Sequence, residues 1–206
     1  MNGASVTIVD LGVGNLGNVA RAIEKVGGKA RVTADPAAIA ASRRLILPGV
    51  GAFAPPREAL RGTIETALRA ALAEGAWLLG ICVGFQLLFE ASEEFGTTDG
   101  LALLPGRIVR LPAGVSLPHI GWNRLRDLAE NPLFDGLPAD PWVYFVHSFA
   151  PEDADEVTLA RTLHGRSFTA VAGRGRVLGC QFHPERSGET GLKILANFLA
   201  LSEKAA

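Results

Sequence analysis

Gly80-Ile81-Cys82-Val83-Gly84 is the stretch that decides how this chain folds. The apolar run Ala76-Trp77-Leu78-Leu79 precedes it, and the helix-like run Phe85-Gln86-Leu87-Leu88-Phe89-Glu90 follows. Strand, tight turn, helix is the layout of a nucleophile elbow, here with sulfur in place of a serine oxygen. Such a turn strains its central residue, and side chains two positions away would collide there, so glycines flank it. Cys82 is then expected at a helix N-terminus, where unpaired N–H groups and the dipole favour thiolate over thiol. A lone cysteine is otherwise a small buried hydrophobe. The flanking glycines and the change from strand to helix favour the nucleophile.

Outward from the elbow, the first half alternates strands with helices. Strands are predicted at 6–9, 30–33, 45–47 (ended by Pro48) and 76–81, and helices at 16–26 and 56–72. Apolar residues on one face, Leu16, Val19, Ala20, Ile23 and Val26, mark the first helix. The second half is richer in strands, at 107–111, 143–146, 157–160, 168–171 and 177–182. Gly173-Arg174-Gly175-Arg176 reads as a hairpin turn, and 191–201 as a closing helix. The expected fold is α/β: a mostly parallel central sheet with helices on both faces, plus partly antiparallel strands in the second half. At 206 residues the chain is expected to form one domain, 1–206.

The formal net charge is −1, with no run of either sign, which argues against a nucleic-acid or anionic-membrane partner. Two cysteines, Cys82 and Cys180, lie far apart, and no Cys/His spacing suggests a metal or an iron–sulfur cluster. No cofactor is expected. The N-terminus shows no secretory pattern and no stretch is apolar enough to span a bilayer, so a reducing cytoplasm is expected.

A thiol nucleophile needs a base, and the base an orienter. Of His119, His147, His164 and His183, the last is best placed, directly after the strand ending Cys180-Gln181-Phe182. Loops at the carboxyl ends of parallel strands build the site in such sheets. Glu185 can then accept the other ring N–H of His183 and set its tautomer. Alone, His183 would be a surface histidine and Glu185 a helix-start acid; with the elbow they read as a triad. An oxyanion needs donors too. The N–H of Val83 is one, and the loop Pro48-Gly49-Val50-Gly51-Ala52-Phe53 is favoured over a plain turn as the other. A competing pattern is Gly12-Val13-Gly14-Asn15-Leu16-Gly17 after the first strand, with Asp35 after the second, a dinucleotide fingerprint. It leaves the elbow and His183-Pro184-Glu185 unexplained.

Gly80-Ile81-Cys82-Val83-Gly84-Phe85-Gln86 with His183-Pro184-Glu185 resembles the class I (triad) glutamine amidotransferases. Further stretches resemble, within that class, the glutaminase subunits of imidazole glycerol phosphate synthases. They are Val9 to Leu16, Pro48 to Phe53, Pro118-His119-Ile120-Gly121-Trp122-Asn123, Tyr144 to Phe149, and Gln181 to Gly188. The resemblance spans nearly the whole chain and takes the first glycine loop away from dinucleotide binding. Another triad amidotransferase, an inactive scaffold and a different thiol hydrolase are the alternatives.

The resemblance implies that Cys82 attacks the side-chain amide of glutamine, that His183 moves the protons and that Glu185 orients His183. It implies that Gln86 helps hold the substrate, that backbone around Ser148 and Phe149 holds its amino-acid head, and that Gly49, Val50 and Gly51 supply an oxyanion donor after a peptide flip. It also implies a heterodimer partner, the (β/α)8 cyclase subunit that consumes the ammonia. Asn15, His119, Trp122, Asn123 and Arg186 match positions expected near that interface. Trp122, in a stretch read as a polar loop, is either an interface hot spot or a core aromatic. Departures from the family pattern are Leu11 and Phe149 where tyrosine is common, and Arg186 where lysine is usual.

Overall fold

The computed structural model describes residues 4–152 and 156–202. In chain order the first half contains β1 (Ser5–Val9), α1 (Leu16–Lys25), β2 (Lys29–Thr33), α2 (Pro36–Ala40), β3 (Arg44–Gly49), α3 (Ala54–Leu60), α4 (Thr63–Ala73), β4 (Trp77–Cys82) and α5 (Val83–Gln86). Then follow β5 (Ala91–Ser92), β6 (Thr98–Asp99), β7 (Arg107–Arg110), β8 (His119–Arg124), β9 (Trp142–His147), β10 (Phe149–Pro151), β11 (Thr158–His164), β12 (Arg166–Arg174), β13 (Val177–Cys180) and α6 (Gly188–Ala200).

Seven strands form the main sheet in the order β11-β12-β13-β4-β3-β1-β2. From β13 to β2 all neighbours are parallel; β11 and β12 extend the sheet antiparallel. Every residue of β4 is buried, and all of β3 but its first, as expected of strands covered on both faces. A four-stranded sheet (β10-β7-β5-β6) and the antiparallel ribbon β8-β9 complete the β structure. The α/β class and the added antiparallel strands are as the sequence predicts.

Three local expectations change. The helix predicted over 56–72 is two helices, because the chain breaks at Gly62, whose φ is +80°. Strand β3 runs through Pro48 to Gly49; pairing with β1 ends at Ile46, so the missing proline donor interrupts no ladder there. The elbow helix α5 is a single turn. Its extension needs the carbonyls of Leu87, Leu88 and Phe89, but N–H groups of Leu101, Leu103, Leu104 and Ala102 take them instead. The dinucleotide pattern also loses its acid: Asp35 caps α2, its Oδ1 accepting the N–H of Ala37 at 3.1 Å.

Register explains where chemistry gathers. In the parallel ladders Gly49 pairs with Cys82 and Cys180 pairs with Ile81, so Gln181 stands level with Cys82. The ends of three adjacent central strands therefore deliver Gly49, Cys82 and Gln181, then His183, to one carboxyl edge.

Candidate active site

Cys82 ends β4 with φ +54° and ψ −111°, a left-handed conformation rare outside glycine. Two contacts fix this bend. A Cβ on Gly84 would lie 1.7 Å from the Leu47 carbonyl oxygen in β3, and one on Gly80 would lie 2.7 Å from the Gly84 oxygen. Gly80 thus keeps the elbow itself open, as the spacing argument expects, while Gly84 lets α5 settle directly on β3. With one turn of helix, the sulfur gains local N–H groups but no sustained macrodipole.

A cleft of about 610 Å3 opens over this bend. Cys82, Val83, Gln86, Ser148, Phe149, His183 and Glu185 line it together with Val50, Gly51, Asn15 and Arg186. Gly49 lies beneath, where an added Cβ would meet the Gly84 nitrogen at 2.8 Å. The Nδ1 of His183 is 2.9 Å from Glu185 Oε1, with both side chains buried. Burial pushes His183 down, but hydrogen bonding and charge from Cys82 and Glu185 outweigh it and raise the imidazole to about 10. His183 Nε2 and Glu185 Oε2 make no hydrogen bond of normal geometry in the protein. The Cys82 sulfur therefore acts on the ring by proximity and charge, as befits catalytic contacts that tighten only around a substrate.

Gln86 is buried and both its N–H groups are spent: Nε2 donates to the Phe149 carbonyl at 2.9 Å and to Gln181 Oε1 at 3.0 Å. Only its own oxygen is left for a ligand. The Phe149 carbonyl also meets His147 Nδ1 at 2.8 Å, and the Ser148 carbonyl accepts from the Leu111 N–H. The Phe149 carbonyl, with two donors, is full and cannot hold a substrate head; its N–H or the Ser148 side chain is left for that.

Two residues that the sequence reading passed over belong here. Glu94 lines the cleft, and its Oε2 accepts the Phe53 N–H at 2.7 Å, tying the end of the Pro48–Phe53 loop. Gln181 is fully buried and its Nε2 stands 4.0 Å from Cys82 Sγ. Glu94 sits among exposed residues with no pattern to mark it, and Gln181 is read as an ordinary strand position until the register is known.

The five residues expected near a partner divide. Asn15, Trp122 (52% exposed) and Arg186 face outward. Trp122 is therefore neither a core aromatic nor in a loop; it lies on β8. His119 and Asn123 lie on the other side of β8, His119 buried and Asn123 half-buried. His119 is buried, with Nδ1 3.0 Å from His147 Nε2 and Nε2 3.1 Å from Asn123 Nδ2, and Asn123 also donates to the Leu163 carbonyl. The outer face of the ribbon carries Ile120, Trp122 and Tyr144, with the Arg186 guanidinium 4.7 Å from the Tyr144 ring centroid. Cys180 is buried, and burial foremost raises its thiol well above the usual range. Among the described residues, no cluster of histidine, cysteine and carboxylate side chains could hold a metal ion, and no helix is long and apolar enough to cross a membrane.

Comparison with known proteins gives one answer at two levels. The profile of "Glutamine amidotransferase class-I" matches residues 7–201. The imidazole glycerol phosphate synthase subunit HisH of Symbiobacterium thermophilum is 48% identical over 197 residues, covering 95% of this chain and 93% of the relative. That of Methanosarcina barkeri is 46% identical, covering 94% and 97%. Among solved structures, PurLQS from Thermotoga maritima superposes with a TM-score of 0.78 at 21% identity, covering 97% of this chain and 99% of that one. At that identity the likeness speaks for the fold alone.

Proposed function

The chain belongs to the class I glutamine amidotransferases and, within them, to the HisH subunits of imidazole glycerol phosphate synthase, and we propose that it hydrolyses glutamine through Cys82, His183 and Glu185 and hands the ammonia to a cyclase subunit. The observation that carries the catalytic part is the cleft in which a strained cysteine faces an imidazole held by a buried carboxylate.

The geometry supports each step. With His183 raised to about 10, the proton resides on the imidazole at neutral pH, held between the sulfur and Glu185. Cys82 attacks the amide carbon of glutamine. The N–H of Val83, beside it at the cleft, stabilises the oxyanion, with a second donor from the Gly49–Gly51 loop. Gly51 already has φ +84°, so a peptide rotation in that loop meets little steric resistance. The imidazolium gives its proton to the departing nitrogen, the C–N bond breaks to release ammonia, and the acyl group stays on the Cys82 sulfur as a thioester. His183 then takes a proton from water, the hydroxide equivalent attacks the thioester, and glutamate is released. The Glu94 carboxylate and the Gln86 oxygen suit the ammonium and amide N–H groups of the substrate.

Ammonia in open water is mostly protonated near neutral pH and a poor nucleophile unless its total concentration is high, so a sealed route to a second site favours its transfer. The outer face of β8-β9, which exposes Ile120 and Trp122, together with Arg186 in the cleft lining, suits a (β/α)8 cyclase partner in a heterodimer. Cys82→Ala in the complex is the test. Ammonia release from glutamine should vanish while added ammonium salt still supports cyclisation. Retained glutaminase activity would overturn the assignment.

A further inference from the structure

We propose that Gln181 is a positioning residue for the Cys82 thiol, the last link in a hydrogen-bonded chain of fixed polarity that begins on strand β8. The inference rests on the reading of Cys82 as nucleophile. Register brings the two residues level on adjacent parallel strands, and full burial obliges the Gln181 amide to spend its polar atoms inside the protein.

The direction of every bond follows from one carbonyl. The Phe149 oxygen can only accept, so Gln86 must turn its nitrogen toward it. The second N–H of Gln86 then faces Gln181, which must answer with Oε1. That leaves the Gln181 nitrogen, and no other atom, toward the sulfur at 4.0 Å, the outer limit for a sulfur acceptor. On the other side, the same carbonyl requires a proton on His147 Nδ1. His147 Nε2 then accepts from His119 Nδ1, and His119 Nε2 accepts from Asn123. Burial foremost pushes His119 down to about 4 and His147 to about 3, so both rings stay neutral near pH 7 and the polarity holds. A donor aimed at the sulfur favours its anion and holds its rotamer in the cleft, and the contact shortens as the sulfur gains charge.

The test uses the full chain, with iodoacetamide as the probe and peptide mass spectrometry to separate Cys82 from Cys180. The alkylation rate is followed against pH for wild type, Gln181→Met and Gln181→Glu. Methionine keeps the volume and removes the donor, so the midpoint should rise by about half to one pH unit. Glutamate keeps both the shape and the acceptor for Gln86 but presents an anion to the sulfur, so the midpoint should rise further. A packing role gives the opposite order, with the isosteric glutamate closest to wild type. In the complex, Gln181→Met should lower kcat for glutamine about five- to tenfold with KM nearly unchanged. Ammonia-driven cyclisation should be untouched. Unmoved midpoints in folded variants, or the order expected of packing, would overturn the inference. If Gln181→Glu shows no thermal transition, the midpoint of Gln181→Met decides alone. A wild-type complex without glutaminase activity would sink the reading of Cys82, whereas an unmoved midpoint sinks only the role of Gln181.

Discussion

Replacing Gly84 by alanine tests whether the elbow is held by its contact with β3. The added methyl would sit 1.7 Å from the Leu47 oxygen, 2.6 Å from the Leu47 carbonyl carbon and 3.1 Å from the Pro48 carbonyl carbon. Ordinary contact begins near 3.4 Å, so α5 and the end of β3 must part by about 1.7 Å. None of these atoms is the tip of a flexible side chain; all are main chain in a buried strand. Overpacking of this kind costs about 3 kcal/mol, the upper end of its usual range, since backbone must move. The displacement acts between Cys82 on one side and the Gly49–Gly51 loop on the other, where the oxyanion donors are proposed to meet. A misplacement of about 1 Å there costs about a hundredfold in rate. Glutamine turnover in the complex should therefore fall at least that far, while ammonia-driven cyclisation persists and the melting temperature drops. Gly62→Ala, between α3 and α4 and outside the cleft, is the control: its Cβ meets nothing within 4 Å, and only the φ of +80° is strained, at about 1 kcal/mol. Wild-type turnover and melting in Gly84→Ala would refute the argument, as would an equal loss in both variants.

Stability should pass through a maximum near pH 6.5. Below it, the unfolded chain protonates the two histidines that the fold holds to about 4 and 3, so His119 and His147 both cost stability as pH falls toward those values. Above it, His183 is raised to about 10, so its contribution is complete below the unfolded value and is lost as pH rises toward 10. Denaturant midpoints across pH would show the two limbs, and a flat profile from pH 4 to 10 would contradict both. Trp122→Ala should weaken association with the cyclase by about 2 kcal/mol, read by calorimetry, with little change in melting because the side chain is 52% exposed. Glu65→Ala leaves the Arg57 guanidinium, 5% exposed and 2.7 Å from its carboxylate, buried without that partner. It should cost about 3 kcal/mol, measured by urea unfolding.

The parts of this site that the sequence makes legible are local. The glycines around Cys82 lie within two residues of it, and Glu185 lies two from His183, so chain geometry alone links them. What stays hidden depends on partners distant in sequence. Strand β8 carries His119 and Asn123 on its inner face, where apolar residues would have shown the period of two, so it reads as a polar loop. The same inward-facing polarity makes His119, which is buried, and Asn123, which is half-buried, read like surface residues. The brevity of α5 is dictated from residues 101–104, whose N–H groups capture its carbonyls, and nothing in Phe85-Gln86-Leu87-Leu88 foretells that. Gln181 acquires meaning only from the pairing of β13 with β4.

The length of α5 has a chemical consequence. A macrodipole needs several aligned turns, and Cys82 heads only one. Stabilisation of a sulfur anion must then come from discrete groups placed around it: the charged ring of His183 on the cleft side and the Gln181 amide from the neighbouring strand. The elbow contributes shape, by keeping the sulfur at the cleft, and the adjacent strand contributes charge. If that division holds, lengthening or capping α5 leaves the alkylation midpoint of Cys82 where it is, and substitutions at Gln181 move it.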